Sequence, residues 1–129
     1  MVLLDSCVLI WIAAGDHGRI SANSRQVLMT HRWAVSALTA WEVAVKHAAG
    51  KLTLSSDPAT WWSTAVAYHE LIPLSFSPVT AMRAGVLPPI HFDPFDRGLV
   101  ATALTENIAI VTPDERIHAY QSVGLQVIW

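Results

Sequence analysis

The chain has 129 residues, enough for one domain (1–129) with its own core, and its single cysteine, Cys7, excludes an intrachain disulfide. Apolar residues reach 53%, charged residues only 14%, and the net charge is −2, which excludes a strongly basic, passive nucleic-acid binder and suggests a fully buried sheet with an apolar surface left for a partner. The longest apolar run, Cys7 to Ala14, falls far short of the roughly 20 residues of a membrane span, and the N-terminus lacks a basic start, so a cytosolic protein is expected. Val2-Leu3-Leu4, ending at Asp5-Ser6, predicts a buried strand. Val8 to Ala14 predicts a helix stopped by Gly15, and Ser21 to His31 a second helix with Ser21 as N-cap. Trp33-Ala34-Val35 follows as a strand, then Thr39 to Ala49 as a helix closed by Gly50. Asp57-Pro58 opens a helix to about His69. Leu71 to Leu74 can only be an edge strand because Pro73 lacks an N–H. Ser77-Pro78 and Asp93-Pro94 open two more helices, the second running to about Thr105. Ile108 to Val111 is a buried strand, Glu115 to Tyr120 a short helix and Leu125 to Ile128 a last strand.

Strands alternating with helices predict an α/β fold, a short parallel sheet covered on both faces. In such sheets functional groups gather beyond the carboxyl ends of the strands. Asp5 directly follows the first strand, Asp114 sits three residues past Val111, and Glu42 and Asp96 are expected in the first turns of their helices. Each acid alone is explained by helix capping and the helix dipole. Thr39 to Glu42 and Asp93 to Asp96 both fit a capping box, with the acid at N3. Together the four point elsewhere: in a chain with few charges they flank apolar strand ends, where an uncompensated carboxylate is costly. Carboxylate oxygens suit Mg²⁺ or Mn²⁺, one ion or two, and no zinc spacing such as HExxH or CxxC is present. A site of this kind suits phosphodiester hydrolysis by metal-activated water. Setting the four acids aside leaves six acidic against eight basic residues, a remainder of +2 that is compatible with a polyanionic substrate.

Five segments resemble one known family. Leu3 to Trp11 (LLDSCVLIW) is similar to the opening motif of PIN-domain ribonucleases, above all the VapC-type toxins of bacterial toxin–antitoxin pairs. Ser36 to Lys46 (SALTAWEVAVK), followed by Gly50-Lys51-Leu52, resembles their second motif, His91 to Arg97 (HFDPFDR) the third, Val111 to Asp114 (VTPD) the fourth, and Val123 to Trp129 the closing strand. The motifs occur in the family's order along the whole chain. The resemblance implies a three-layer α/β/α sandwich and a Mg²⁺- or Mn²⁺-dependent endoribonuclease whose acidic quartet is Asp5, Glu42, Asp96 and Asp114. It also implies an RNA substrate, a cognate antitoxin and a homodimer. Ser6 and Thr112 match or adjoin positions that support the site. Asp93 is an extra acid, expected first as a helix cap. Pro113 departs from the commoner Arg or Ala and leaves Asp114 in place.

Lys46, Arg97 and Arg116 are candidate contacts to substrate phosphate; against this, Lys46 has an i,i+4 partner in Glu42, Arg97 has neighbouring acids, and Arg116 suits a solvated surface. The six histidines show no ligand spacing, and His91 is expected to form a local structural pair with Asp93. Trp11, Trp41 and Trp129 read as core, one of Trp61 and Trp62 as inward-facing, and Cys7 as a small buried hydrophobe. Two alternatives stand beside the nuclease. One is a catalytically silent binding module on the same fold. The other is an Asp-based phosphotransfer or phospho-acceptor domain. The dehalogenase pattern would need an Asp where Cys7 stands, and a receiver domain an acidic pair where Leu3-Leu4 stand.

Overall fold

The structure is a computed structural model describing residues 1–129. Five strands form one fully parallel sheet in the order β3-β2-β1-β4-β5: β1 Val2–Leu4, β2 Trp33–Ser36, β3 Ile72–Leu74, β4 Ala109–Val111 and β5 Val127–Ile128. Seven helices connect them: α1 Ser6–Ala13, α2 Ala22–Thr30, α3 Ala37–Ala48, α4 Pro58–Tyr68, α5 Pro78–Val86, α6 Pro94–Glu106 and α7 Glu115–His118. None is long and apolar enough to cross a membrane.

The strand period of two divides the core. Val2 and Leu4 of β1 join Val8, Leu9, Val43 and Trp61 on one face. Leu3 joins Leu99, Val100, Ile110, Ile117 and Tyr120 on the other. Each face is therefore a separate apolar layer between sheet and helices, and the architecture is an α/β/α sandwich. Pro73 lies on β3, at the sheet edge, opposite Val35. It occupies the position where a missing N–H costs no ladder bond on the outer side.

Several boundaries differ from expectation, α1 also starting early at Ser6, and one matters for the site. Helix α3 begins at Ala37, two residues early, because Ser36 ends β2 and caps the helix at once, its Oγ accepting from Leu38 N–H at 3.1 Å. Glu42 therefore lies in the second turn, and no Thr39–Glu42 capping box exists. The expected last helix splits into α7 and a 3₁₀ turn over Ala119–Val123, and β5 shrinks to two residues.

One close approach sets the position of α6. A Cβ built on Gly98 would lie 2.1 Å from Leu38 Cδ1. A side chain there would force Leu38 of α3, the helix that carries Glu42, to move.

Candidate active site

In the strand order the chain reverses direction between β1 and β4, so a crevice opens beyond their carboxyl ends. Asp5 leaves β1 into it, and Asp114 follows β4. Glu42 comes from α3 after β2, and Asp96 from the first turn of α6, whose N-terminus points to the same edge.

Asp5 sits at the N-cap of α1 but makes no side-chain capping bond. Its carboxylate is buried and accepts a 2.5 Å bond from Thr112 Oγ1, which also accepts from Asp114 N–H at 3.1 Å. Thr112 thus ties two site acids together. Burial pushes the Asp5 carboxyl above its ordinary value, the Thr112 bond pulls the other way, and the Glu42 charge pushes it further up.

Glu42 is buried on the face of α3 formed with Leu38, Thr39 and Val43. Ser6 Oγ donates to its Oε1 at 3.0 Å and lies 3.5 Å from Thr39 Oγ1. Lys46 Nζ holds Oε2 at 2.6 Å. Burial opposes the Lys46 charge, but Glu42, Asp96 and Asp5 outweigh it and raise its pKa.

Asp96 is the centre of the cluster. Burial first, then the charges of Asp5, Asp93, Glu42 and Asp114, push its carboxyl up to about 7. Asp93 caps α6, its Oδ1 accepting from Phe95 N–H at 2.8 Å and Asp96 N–H at 3.4 Å. Asp114 divides its two oxygens: Oδ1 caps α7 through Arg116 N–H at 2.9 Å, and Oδ2 faces the cluster. Burial acts to raise Asp114, but the bonds from Arg116 N–H and His91 and the Arg116 charge outweigh it and lower its pKa.

Sequence reasoning missed the link between Asp96 and Asp114. His91 Nε2 lies 2.8 Å from Asp96 Oδ2 and 3.3 Å from Asp114 Oδ2, and the three donor atoms fall within 4.8 Å of one another. The expected local pair with Asp93 is a backbone contact, Asp93 N–H donating to Nδ1 at 3.2 Å. The only sequence signal was the place of His91 at the head of the third motif.

Other assignments change. Arg97 is engaged by the protein itself: Nη1 and Nη2 donate to the carbonyl oxygens of Ala84, Gly85, Leu87, Pro88 and His91 and to Tyr120 Oη. It clamps the loop ahead of α6. Arg116 is exposed, its Nε 3.5 Å from Asp114 Oδ1, and its guanidinium stays at the crevice mouth. Trp41 is not core. It is 61% exposed and stacks edge-on against Phe95 with centroids 5.0 Å apart. Trp11 and Trp129 are half-buried against each other and Trp61 packs inward, while Cys7 is only half-buried.

The donor set fits a hard divalent cation. All four proposed ligands are carboxylates, burial and their mutual charge push Asp96 up to about 7, and Lys46 is the one ammonium among them.

A PIN-domain profile matches residues 2–122. The chain belongs to the PIN-domain family. It is 29% identical to Ribonuclease VapC22 of Mycobacterium tuberculosis over 129 residues, covering 99% of this chain and 98% of the relative. The fold is shared with the solved structure of VapBC2 from Rickettsia felis bound to a promoter DNA fragment, at TM-score 0.67 and 13% identity, covering 98% of this chain and 97% of that one. A toxin–antitoxin complex from Klebsiella pneumoniae matches at TM-score 0.63 and 20% identity, over 92% of this chain and 91% of that one. The PIN fold and the carboxylate crevice thus coincide in one chain.

Proposed function

We propose that this PIN domain is an endoribonuclease dependent on Mg²⁺ or Mn²⁺, and that it acts in the cytoplasm as the toxin of a toxin–antitoxin pair. The observation that carries the reading is the convergence of Asp5, Glu42, Asp96 and Asp114 in one crevice: Asp5, Glu42 and Asp114 are each held by a hydrogen bond, and all three act by charge on Asp96, which lies against His91. The similarity to a named VapC ribonuclease supports the RNA substrate, and the fold shared with toxin–antitoxin complexes supports an antitoxin partner.

Asp5, Glu42, Asp96 and Asp114 would hold the cation or pair of cations. When bound, the metal supplies a more acidic water and neutralises charge at the scissile phosphate. The protein's own contribution is placement. Thr112 aims Asp5 and Ser6 aims Glu42. Asp93 fixes the first turn of α6 beneath Asp96, and Arg116 offers an exposed guanidinium to RNA phosphate. Lys46, still partly exposed beside Glu42, is the second candidate for a phosphate contact.

A homodimer completes the proposal. Trp41 and Val45 of α3 and Val79, Met82 and Val86 of α5 are exposed apolar side chains beside an apolar cavity of about 410 Å³. Burying this face against a second copy also accounts for the low charge content.

Purified protein carrying Asp5→Asn tests the core of the reading. Asn keeps the shape of the buried side chain and removes a ligand charge, so cleavage of RNA in Mn²⁺ should vanish while circular dichroism and thermal unfolding remain native-like. Cleavage at the parent rate would remove Asp5 from the site.

A further inference from the structure

His91 occupies a position that capping alone does not explain. It is 3% exposed, and both ring nitrogens are engaged. Asp93 N–H donates to Nδ1, so the Nδ1 lone pair is in use and the neutral ring carries its proton on Nε2. That N–H is hydrogen-bonded to Asp114 Oδ2 at 3.3 Å, and Nε2 also lies 2.8 Å from Asp96 Oδ2, against which the ring is packed. In an ordinary capping box the N3 acid would accept the N–H of the capping residue. Here His91 Nδ1 takes the Asp93 N–H instead, leaving the Asp96 carboxylate free to face the crevice.

The backbone of His91 is held just as firmly. Its N–H donates to Tyr120 Oη at 3.0 Å, and its carbonyl accepts from Arg97 Nη1 at 3.2 Å. Tyr120 is fully buried and donates onward to the Pro88 carbonyl at 2.9 Å, while Arg97 Nη2 holds the carbonyls of Ala84 and Leu87, both at 2.8 Å. A long-range clamp therefore fixes the imidazole with respect to two acids that lie on different elements, α6 and the turn after β4.

We propose that His91 is a positioning residue: as a neutral Nε2–H donor, anchored by Arg97 and Tyr120, it holds Asp96 and Asp114 in the geometry that receives the divalent cation, without being a ligand itself. This rests on the metal-dependent reading above. Hydrogen-bonding partners of ligating carboxylates commonly contribute about 10–100-fold to metal affinity, which sets the size of effect to look for.

The test is Mn²⁺ affinity measured by isothermal titration on the whole protein, with no RNA present, for the parent and for His91→Ala, His91→Asn and His91→Gln. Gln places an amide N–H near the position of Nε2 and can still reach the acids. Asn can replace only the Nδ1 contact. His91→Ala and His91→Asn should weaken Mn²⁺ binding about 10–100-fold, and His91→Gln should bring it back close to the parent value. Parent-like affinity in His91→Asn, or no recovery in His91→Gln, overturns the proposal. A nitrogen coupling in the electron spin-echo spectrum of Mn²⁺ bound to the parent would make the ring a ligand and equally overturn it. A parent that binds no Mn²⁺ would instead bring down the metal reading, an outcome distinct from any difference among the variants.

Discussion

Asp96→Asn separates the energetics of the carboxylate cluster from its chemistry. Asn is isosteric and keeps the close contact with His91, so the packing around α6 is preserved. In the metal-free parent, a carboxyl raised from 3.8 to about 7 corresponds to about 4 kcal/mol between its charged and neutral forms, set first by burial and then by the charges of Asp5, Asp93, Glu42 and Asp114. Solvent at the exposed 17% of the Asp96 side chain and added salt screen part of this, leaving about 1–3 kcal/mol. The sign follows from proton linkage. Asp96 binds its proton more tightly folded than unfolded, so its contribution is fully present below about pH 4 and is lost as pH rises through about 7. Asp96→Asn should therefore match the parent near pH 4, gain on it between pH 5 and 7, and hold a constant advantage above pH 8. For a chain of this size that advantage is roughly 3–5 °C in melting temperature per kcal/mol. The assay is thermal unfolding in chelator across this pH range. Saturating Mg²⁺ at pH 8 should stabilise the parent and leave the variant almost unmoved. A variant less stable than the parent at pH 8 without metal would mean that burial and the neighbouring acids do not penalise the charged Asp96 carboxylate.

Three further outcomes follow from particular contacts. Thr112→Val removes the donor to Asp5 and should weaken Mn²⁺ binding and cleavage about 10–100-fold, with Thr112→Ser recovering most of both; parent-like values for Thr112→Val would show that the bond is idle. Arg97→Lys leaves several carbonyl oxygens of residues 84–91 without their donor and should cost about 2–4 kcal/mol in urea unfolding, whereas a raised KM with unchanged stability would return Arg97 to the substrate. Met82→Glu on α5 should convert a dimer into a monomer in sedimentation equilibrium, and a parent already monomeric at tens of micromolar would exclude the proposed dimer face.

Much of this fold is written locally. Val2-Leu3-Leu4 and Ala109-Ile110-Val111 are apolar runs that only a sheet buried on both faces accommodates, and Pro73 marks its own strand as an edge. The start of α3 was not legible because Ser36 and Thr39 are both good caps, and what chooses Ser36 is that β2 ends there with no loop to spare. The same helix hid the exposure of Trp41, since its apolar residues surround the axis and the buried stripe runs instead through Leu38, Thr39, Glu42 and Val43. Three of the four acids follow β1, β2 and β4, neighbours in the sheet, and Asp96 opens the helix leading into β4, so junction positions sufficed to suggest convergence. The supports of the site were less visible. Arg97 binds backbone carbonyls, which carry no residue signature, and His91 reaches Asp114 across 23 positions of sequence. Contacts of that kind arise only when the chain is closed.

Cutting of RNA by this crevice through a bound divalent cation ties activity to metal occupancy. Its most direct test measures Mn²⁺ occupancy and RNA cleavage in the same sample, starting from protein stripped with chelator. Cleavage should be absent without metal, rise in step with occupancy, and be absent from Asp96→Asn at any concentration. Cleavage by the stripped protein, or a metal-saturated protein that leaves RNA intact, would contradict it.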